Sequence, residues 1–144
     1  MKVNDEELRQ MLALMETYKN RTEALSHQVT VIRSSLDEVN MANESIKSLM
    51  AAKEGDEIMI PIGASSFMTV KVVSNKNIVV GIGSGLSAEK TPEDASKFME
   101  ANAAELSEAL KKTVDALQEV QQALTTVSEA VQLEYMNRQQ TPTE

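Results

Sequence analysis

Catalysis needs nucleophiles, acid–base pairs, metal ligands or phosphate cradles, and this sequence is poor in all of them. It carries one histidine and no cysteine. Lack of cysteine removes thiol nucleophiles, disulfides and cysteine-based zinc sites together. His27 falls on the outward side of a helical repeat, which makes it a solvated side chain rather than a ligand or base. The acidic residues are scattered over outer helix faces and form no carboxylate pair or triad. Gly81-Ile82-Gly83-Ser84-Gly85 has the look of a phosphate loop. However, its third glycine comes one residue too early for GxGxxG, no helix follows at once, and no Lys-Ser/Thr pair is present. It reads as a hairpin turn. Asn43, at an inward position, reads as a register-setting or water-satisfied core amide. The residue types therefore imply no enzyme, no cofactor and no metal site.

What the sequence does hold is a repeat of apolar residues at alternating steps of three and four. The first run is Leu8, Met11, Met15, Tyr18, Thr22, Leu25, Val29, Ile32, Leu36, Val39, Asn43, Ile46, Met50. Only Thr22 and Asn43 interrupt it, and a spacing averaging 3.5 calls for a left-handed supercoil of paired helices. Such a helix would reach ~70 Å at 1.5 Å per residue. Asn4 and Glu7 form a capping box with Asp5 and Glu6 in the first turn, and Gly55 is the expected stop.

A second run is Met99, Ala103, Leu106, Leu110, Thr113, Leu117, Val120, Leu124, Val127, Val131, opened by the cap Thr91 and by Pro92 at the first helical position. Beyond Val131 the register lands on Glu134 and Arg138, so pairing is expected to loosen there. Thr141-Pro142-Thr143-Glu144 is expected to be disordered.

Between the runs the period changes to two. Ile58, Ile60 and Ile62 alternate, and Phe67–Val73 and Ile78–Ile82 are β-branched or aromatic stretches separated by Ser74-Asn75-Lys76-Asn77. Four strands are expected, about 57–62 with 66–73 and 78–82 with 86–90. An isolated hairpin is marginal in water, so these apolar strands need others from elsewhere. The candidate assembly residues are Ile58, Ile60, Ile62, Phe67, Val70, Val72, Ile78, Val80 and Ile82.

The expected fold is mainly α with a small β part: a long antiparallel coiled-coil helical hairpin capped by two β-hairpins that present an assembly surface to other subunits. One domain spans 1–144, with helix over 4–54, double β-hairpin over 56–90, helix over 91–139 and a tail over 140–144.

Composition agrees with this outline. Aromatic residues make up 3% of the 144 residues, thin for a globular core, so the apolar stripes must be buried by pairing. A net charge of −8 without basic clusters disfavours nucleic acid. No stretch suits a membrane span and the N-terminus has no signal-peptide core, so a soluble, cytoplasmic protein is expected.

Apolar residues off the seam are rare along the shaft, where Val31, Met41 and Val114 are the main cases. They gather instead at the terminal end as Leu12, Leu14, Leu133, Tyr135 and Met136. An exposed apolar cluster marks an interaction site. With the neighbouring seam residues, the candidate binding set is Leu8, Met11, Leu12, Leu14, Met15, Val131, Leu133, Tyr135 and Met136. Of the nine methionines, Met1, Met11, Met15 and Met136 fall there, and the flexible thioether suits unlike partners.

The order helix, double hairpin, helix resembles the prefoldin family, in its α class. The most specific part is Ile60-Pro61-Ile62-Gly63-Ala64 leading to Phe67, and Ile78-Val79-Val80-Gly81-Ile82-Gly83-Ser84-Gly85 leading to Ala88-Glu89-Lys90. Ser65 departs from the second glycine of many members. The resemblance implies an archaeal-type hexamer of two α and four β subunits whose hairpins share a β-barrel platform. It also implies capture of non-native polypeptides between coiled-coil tips, without nucleotide, and their transfer to a group II chaperonin.

Two rivals use the same architecture. A helical arm that binds tRNA needs a basic face, which is absent. A purely structural coiled-coil oligomerisation or tethering module needs no apolar residues off the seam at its ends.

Overall fold

The structure, a computed structural model, describes residues 3–140. Met1 and the expected disordered stretch 141–144 lie outside the described residues. The elements run α1 (Asp5–Ala51), β1 (Glu57–Gly63), β2 (Ser66–Lys71), β3 (Ile78–Gly83), β4 (Leu86–Lys90) and α2 (Pro92–Gln140).

The helix starts follow from their capping residues. Asn4 Oδ1 accepts from the Glu7 amide at 2.8 Å while Glu7 Oε2 accepts from the Asn4 amide at 2.9 Å, a reciprocal capping box. Thr91 Oγ1 accepts from the Asp94 amide at 3.2 Å, with Pro92 opening α2. The end of α1 differs from expectation. The helix stops at Ala51 rather than near residue 54, and Met50, placed in the seam by its spacing, is exposed. Gly55 closes a separate turn instead: Asp56 Oδ2 accepts from the Lys53 amide, and the Gly55 amide donates to Val72 O at 2.8 Å. The Val72 amide in turn donates to Asp56 O, so Val72 leaves strand β2 and becomes buried.

Each hairpin is a two-stranded antiparallel sheet of its own, β1 with β2 and β3 with β4. Both turn through consecutive left-handed residues, Ala64 and Ser65 in the first and Ser84 and Gly85 in the second. Two positive φ angles in succession match the right-handed twist of the flanking strands. Ser65, with φ of 58°, therefore adopts the conformation that a glycine would hold without strain.

The chain forms two compact units, a hairpin unit over Ile32–Glu108 and a terminal unit from the residues up to Val31 and from Ala109 on. In the hairpin unit the core is Ile46, Val80 and Ala95, with Ile78, Phe98 and Met99 packed against it. Ser96 Oγ donates to Asn43 Oδ1 at 2.8 Å, so the inward amide of α1 meets a buried hydroxyl of α2. Asn75 Nδ2 donates to Ala52 O at 2.9 Å, tying the connection before β3 to the end of α1. Lys90 lies 5.4 Å from the centre of the Phe98 ring.

In the terminal unit Leu8, Val29, Thr113, Val120 and Val131 are buried, and the residues between them at seam spacing are half-buried. The seam does not loosen after Val131. Glu134 is 7% exposed, and its Oε1 accepts from Arg138 Nε at 2.8 Å. The same guanidinium reaches α1, where Asp5 Oδ1 accepts from Nη1 at 2.7 Å and Val3 O from Nη2 at 3.0 Å. Loosening was expected because Glu134 and Arg138 are charged; the structure instead closes the pair with a charge-assisted fork.

Candidate functional site

Two surfaces carry the candidate residues. On the terminal unit Leu14, Leu133, Tyr135 and Met136 are exposed, while Met11, Leu12 and Met15 are half-buried. Leu8 and Val131 differ from the rest of the set: both are buried in the seam, where they hold the helices together. Leu12 was expected to point away from the pair and is instead partly covered. The four exposed residues sit on faces that the seam leaves free, because a stripe of spacing three and four covers only part of a helix's circumference.

On the hairpin unit the alternation of strand residues separates two roles. In β3, Val80 is 2% exposed and its neighbour Val79 is 67% exposed. Ile78, half-buried, shares the face of Val80, and cross-strand pairing adds Ala88 to that face. This face packs on Ile46, Ala95, Phe98 and Met99, so Ile78 and Val80 belong to the subunit's own core. Val72 is likewise buried. Of the other candidate assembly residues, Ile58, Ile60 and Val70 are half-buried, and Ile62, Phe67 and Ile82 are exposed.

The spacing of the strands did not reveal Met59, Met68, Val79 and Leu86, all of them exposed. The signal available was the opposite phase of the same alternation, since Met59 and Val79 directly adjoin inward residues. Met59, Pro61 and Phe67 also line an open groove of about 430 Å³ against Met41 of α1, with Asp37 and Glu44 on its wall.

Arg138 ties two carboxylates, those of Asp5 and Glu134. The Arg138 hydrogen bond, and then its charge, hold the Asp5 carboxyl below its ordinary value, with Arg9 adding a smaller effect against desolvation. Arg138 is pushed up by its hydrogen bonds to Glu134 and Asp5. Among the described residues no group of three His, Asp or Glu side chains could hold a metal, and no helix is long and apolar enough to cross a membrane.

Two long helices with two small hairpins between them, and apolar side chains exposed on the strands and on the terminal unit, define the class of fold. A model of the family described as prefoldin subunit matches residues 6–136. The chain is 32% identical to prefoldin subunit alpha of Methanothrix thermoacetophila over 108 residues, covering 75% of this chain and 71% of that protein. With prefoldin subunit alpha of Pyrococcus horikoshii it shares 29% identity over 133 residues, 92% of this chain and 90% of that protein. Its fold is similar to a chain of the cryo-EM structure of filamentous PFD from Methanocaldococcus jannaschii. There the TM-score is 0.62 and the identity 21%, with 82% of this chain and 98% of that one covered. The chain belongs to the prefoldin family, in its alpha class. Membership supports the role of a chaperone subunit, and prefoldin subunits form complexes with other prefoldin subunits.

Proposed function

We propose that this chain is an ATP-independent chaperone subunit that binds non-native polypeptides through the apolar surface of its terminal unit. The observation that carries this reading is the exposure of Leu14, Leu133, Tyr135 and Met136 in a pair whose seam is otherwise closed. These side chains contribute little to helix pairing, and a structural tether has no need of them. Met11, Leu12 and Met15 extend the surface at its half-buried margin. Binding of this kind needs only apolar area and adaptable side chains, without nucleotide, cofactor or catalytic group.

The hairpins supply the assembly surface. Ile62, Phe67 and Ile82, with Met59 and Val79, present apolar side chains that a two-stranded sheet cannot bury alone. Partner strands from β-class subunits would cover them, giving a hexamer of two α and four β subunits on a shared β-barrel platform. A group II chaperonin is the receiver of the captured chain in this reading. The whole of 1–144 acts as one prefoldin-type domain in the cytoplasm, with neither nucleic acid nor membrane as partner. Co-expression with a β-class subunit and mass measurement of the complex tests the assembly: a mass of two α and four β chains is expected, and a chain that purifies alone as a monomer contradicts it.

A further inference from the structure

The first hairpin carries apolar residues on both of its faces. Its register sets Pro61 opposite Phe67, and Met59, two residues earlier, shares their side. Ile58, Ile60 and Val70, all half-buried, take the other side. A partner strand added at an edge extends a sheet in its own plane, so it does not fill the space between the Met59 face and α1. That space is the open groove of about 430 Å³, whose α1 wall includes Asp37, Met41, Glu44 and Ser48. These four recur at steps of four, three and four, which makes them one row along the helix, beside the seam row of Leu36, Val39, Asn43 and Ile46. Met41, Met59 and Phe67 are all exposed.

We propose that this groove docks a basic amphipathic helix of a partner protein, with two cations seven residues apart on Asp37 and Glu44 and an apolar side chain between them on Met41. The inference goes beyond the capture reading and does not depend on it. Charge complementarity selects the cations. Among the described residues no basic side chain lines the groove, and neither Asp37 nor Glu44 forms an ion pair. Lys47, three residues beyond Glu44, lies 3.9 Å from Glu100 of α2 instead. Met41 and Met59 adapt to the incoming apolar side chain, and Phe67 supplies the aromatic surface that anchors interfaces of this kind.

Spacing selects the helix. Seven residues of α1 separate the two carboxylates by about 10 Å along its axis. A partner helix repeats that distance between its own positions seven apart, and it keeps the residue three or four along on the same face. An extended strand returns to one face every ~7 Å, out of step with the carboxylates. A polyproline segment matches the distance in three residues but turns the two between them away from Met41. A second copy of this chain does not qualify either. Its basic residues seven apart are Lys2 with Arg9 and Lys90 with Lys97, and these enclose Asp5-Glu6 and Glu93-Asp94 where the apolar residue must stand.

The test titrates the full chain, alone and in complex with β-class subunits, into a fluorescent alanine-based helical peptide with lysines seven residues apart and leucines three and four along between them. Anisotropy should show binding in both states, weakening as salt rises. Asp37→Asn with Glu44→Gln should weaken it by roughly threefold to tenfold and remove most of the salt dependence. Met41→Ser should weaken it by about tenfold. All three positions are exposed, so melting and complex mass should be unchanged. The same peptide with glutamates in place of its lysines should not bind. Equal binding of the glutamate peptide, or full binding by either variant, would reduce the contact to unspecific apolar adhesion and overturn the proposal. So would binding by the free chain but not by the complex, which would make the groove part of the subunit interface, and so would no binding in either state.

Discussion

Arg138 Nη1 donates to Asp5 Oδ1 at 2.7 Å, joining residues near opposite ends of the sequence. Ser96 and Asn43 meet in the same sense in the hairpin unit, late residue with early residue, as antiparallel pairing requires. The two contacts are polar exceptions in an apolar seam, and each fixes which residue of one helix stands opposite which of the other.

Acid should open the first of them. The Asp5 carboxyl is held below its ordinary value by the hydrogen bond from Arg138. A depressed folded-state value contributes stability that is fully present above the unfolded value, ~3.9 for aspartate, and is lost as pH falls through the folded one. The carboxyl carbon shift of Asp5 followed by NMR should titrate below that of an ordinary aspartate, and Arg138→Gln should move its midpoint up. A midpoint unmoved by the substitution contradicts the contact.

The hairpin unit's core should be the least tolerant part of the chain. Ile46 is buried against Val80 and Ala95, so Ile46→Ala should cost ~2–4 kcal/mol in denaturant unfolding. Val80→Asp would place an unpaired charge in the same core, at a cost of at least ~3 kcal/mol. It would damage the subunit before assembly could be judged. A loss below ~1 kcal/mol for Ile46→Ala would mean that the core is packed otherwise.

Assembly is better probed one residue away. Val79 faces outward and pairs across the hairpin with Glu89. Val79→Asp should leave helicity and melting nearly unchanged yet prevent a complex with β-class subunits. Native mass spectrometry showing an unaltered complex would remove the outer face of β3 from the assembly surface.

Thr22 should be improvable. Its hydroxyl oxygen is buried in the terminal unit without a hydrogen-bond partner among the protein's described atoms. Valine has the same shape without the polar group, so Thr22→Val should raise stability by about 1 kcal/mol, the lower end of the cost of a buried unsatisfied group. Thermal unfolding reads this directly, and a lower melting temperature would show that the hydroxyl is satisfied.

Most of the fold was legible because its signals are local. The capping box at Asn4 and Glu7, the Thr91-Pro92 start and the two periods each depend on residues a few positions apart. The failures have a common physical source, the contribution of residues distant in sequence. Glu134 and Arg138 looked unfit for a seam because the carbonyl of Val3 and the carboxylate of Asp5 that satisfy the guanidinium lie at the other end of the chain. Met50 kept the spacing of the seam but fell where α1 was already ending, a limit set by the turn that Asp56 and Val72 build. In the strands, alternation told that Ile78 and Val80 share a face but not which element covers it. Only the packing of Phe98 and Met99 shows that this face is internal. Leu8 and Val131 fall with the apolar tip by position, and their burial is not visible from spacing.

The most direct measurement for the central claim is capture by the assembled complex carrying Leu14→Ser, Leu133→Ser, Tyr135→Ser and Met136→Gln together. These residues are exposed, so folding and complex mass should be unchanged, as light scattering would verify. Each lost apolar contact is worth on the order of 1–2 kcal/mol by area burial, and a client spreads its contacts over several tips, so partial loss of aggregation suppression is expected. Full suppression by a correctly assembled complex carrying all four changes would contradict the claim that the terminal surface of this subunit binds non-native chains.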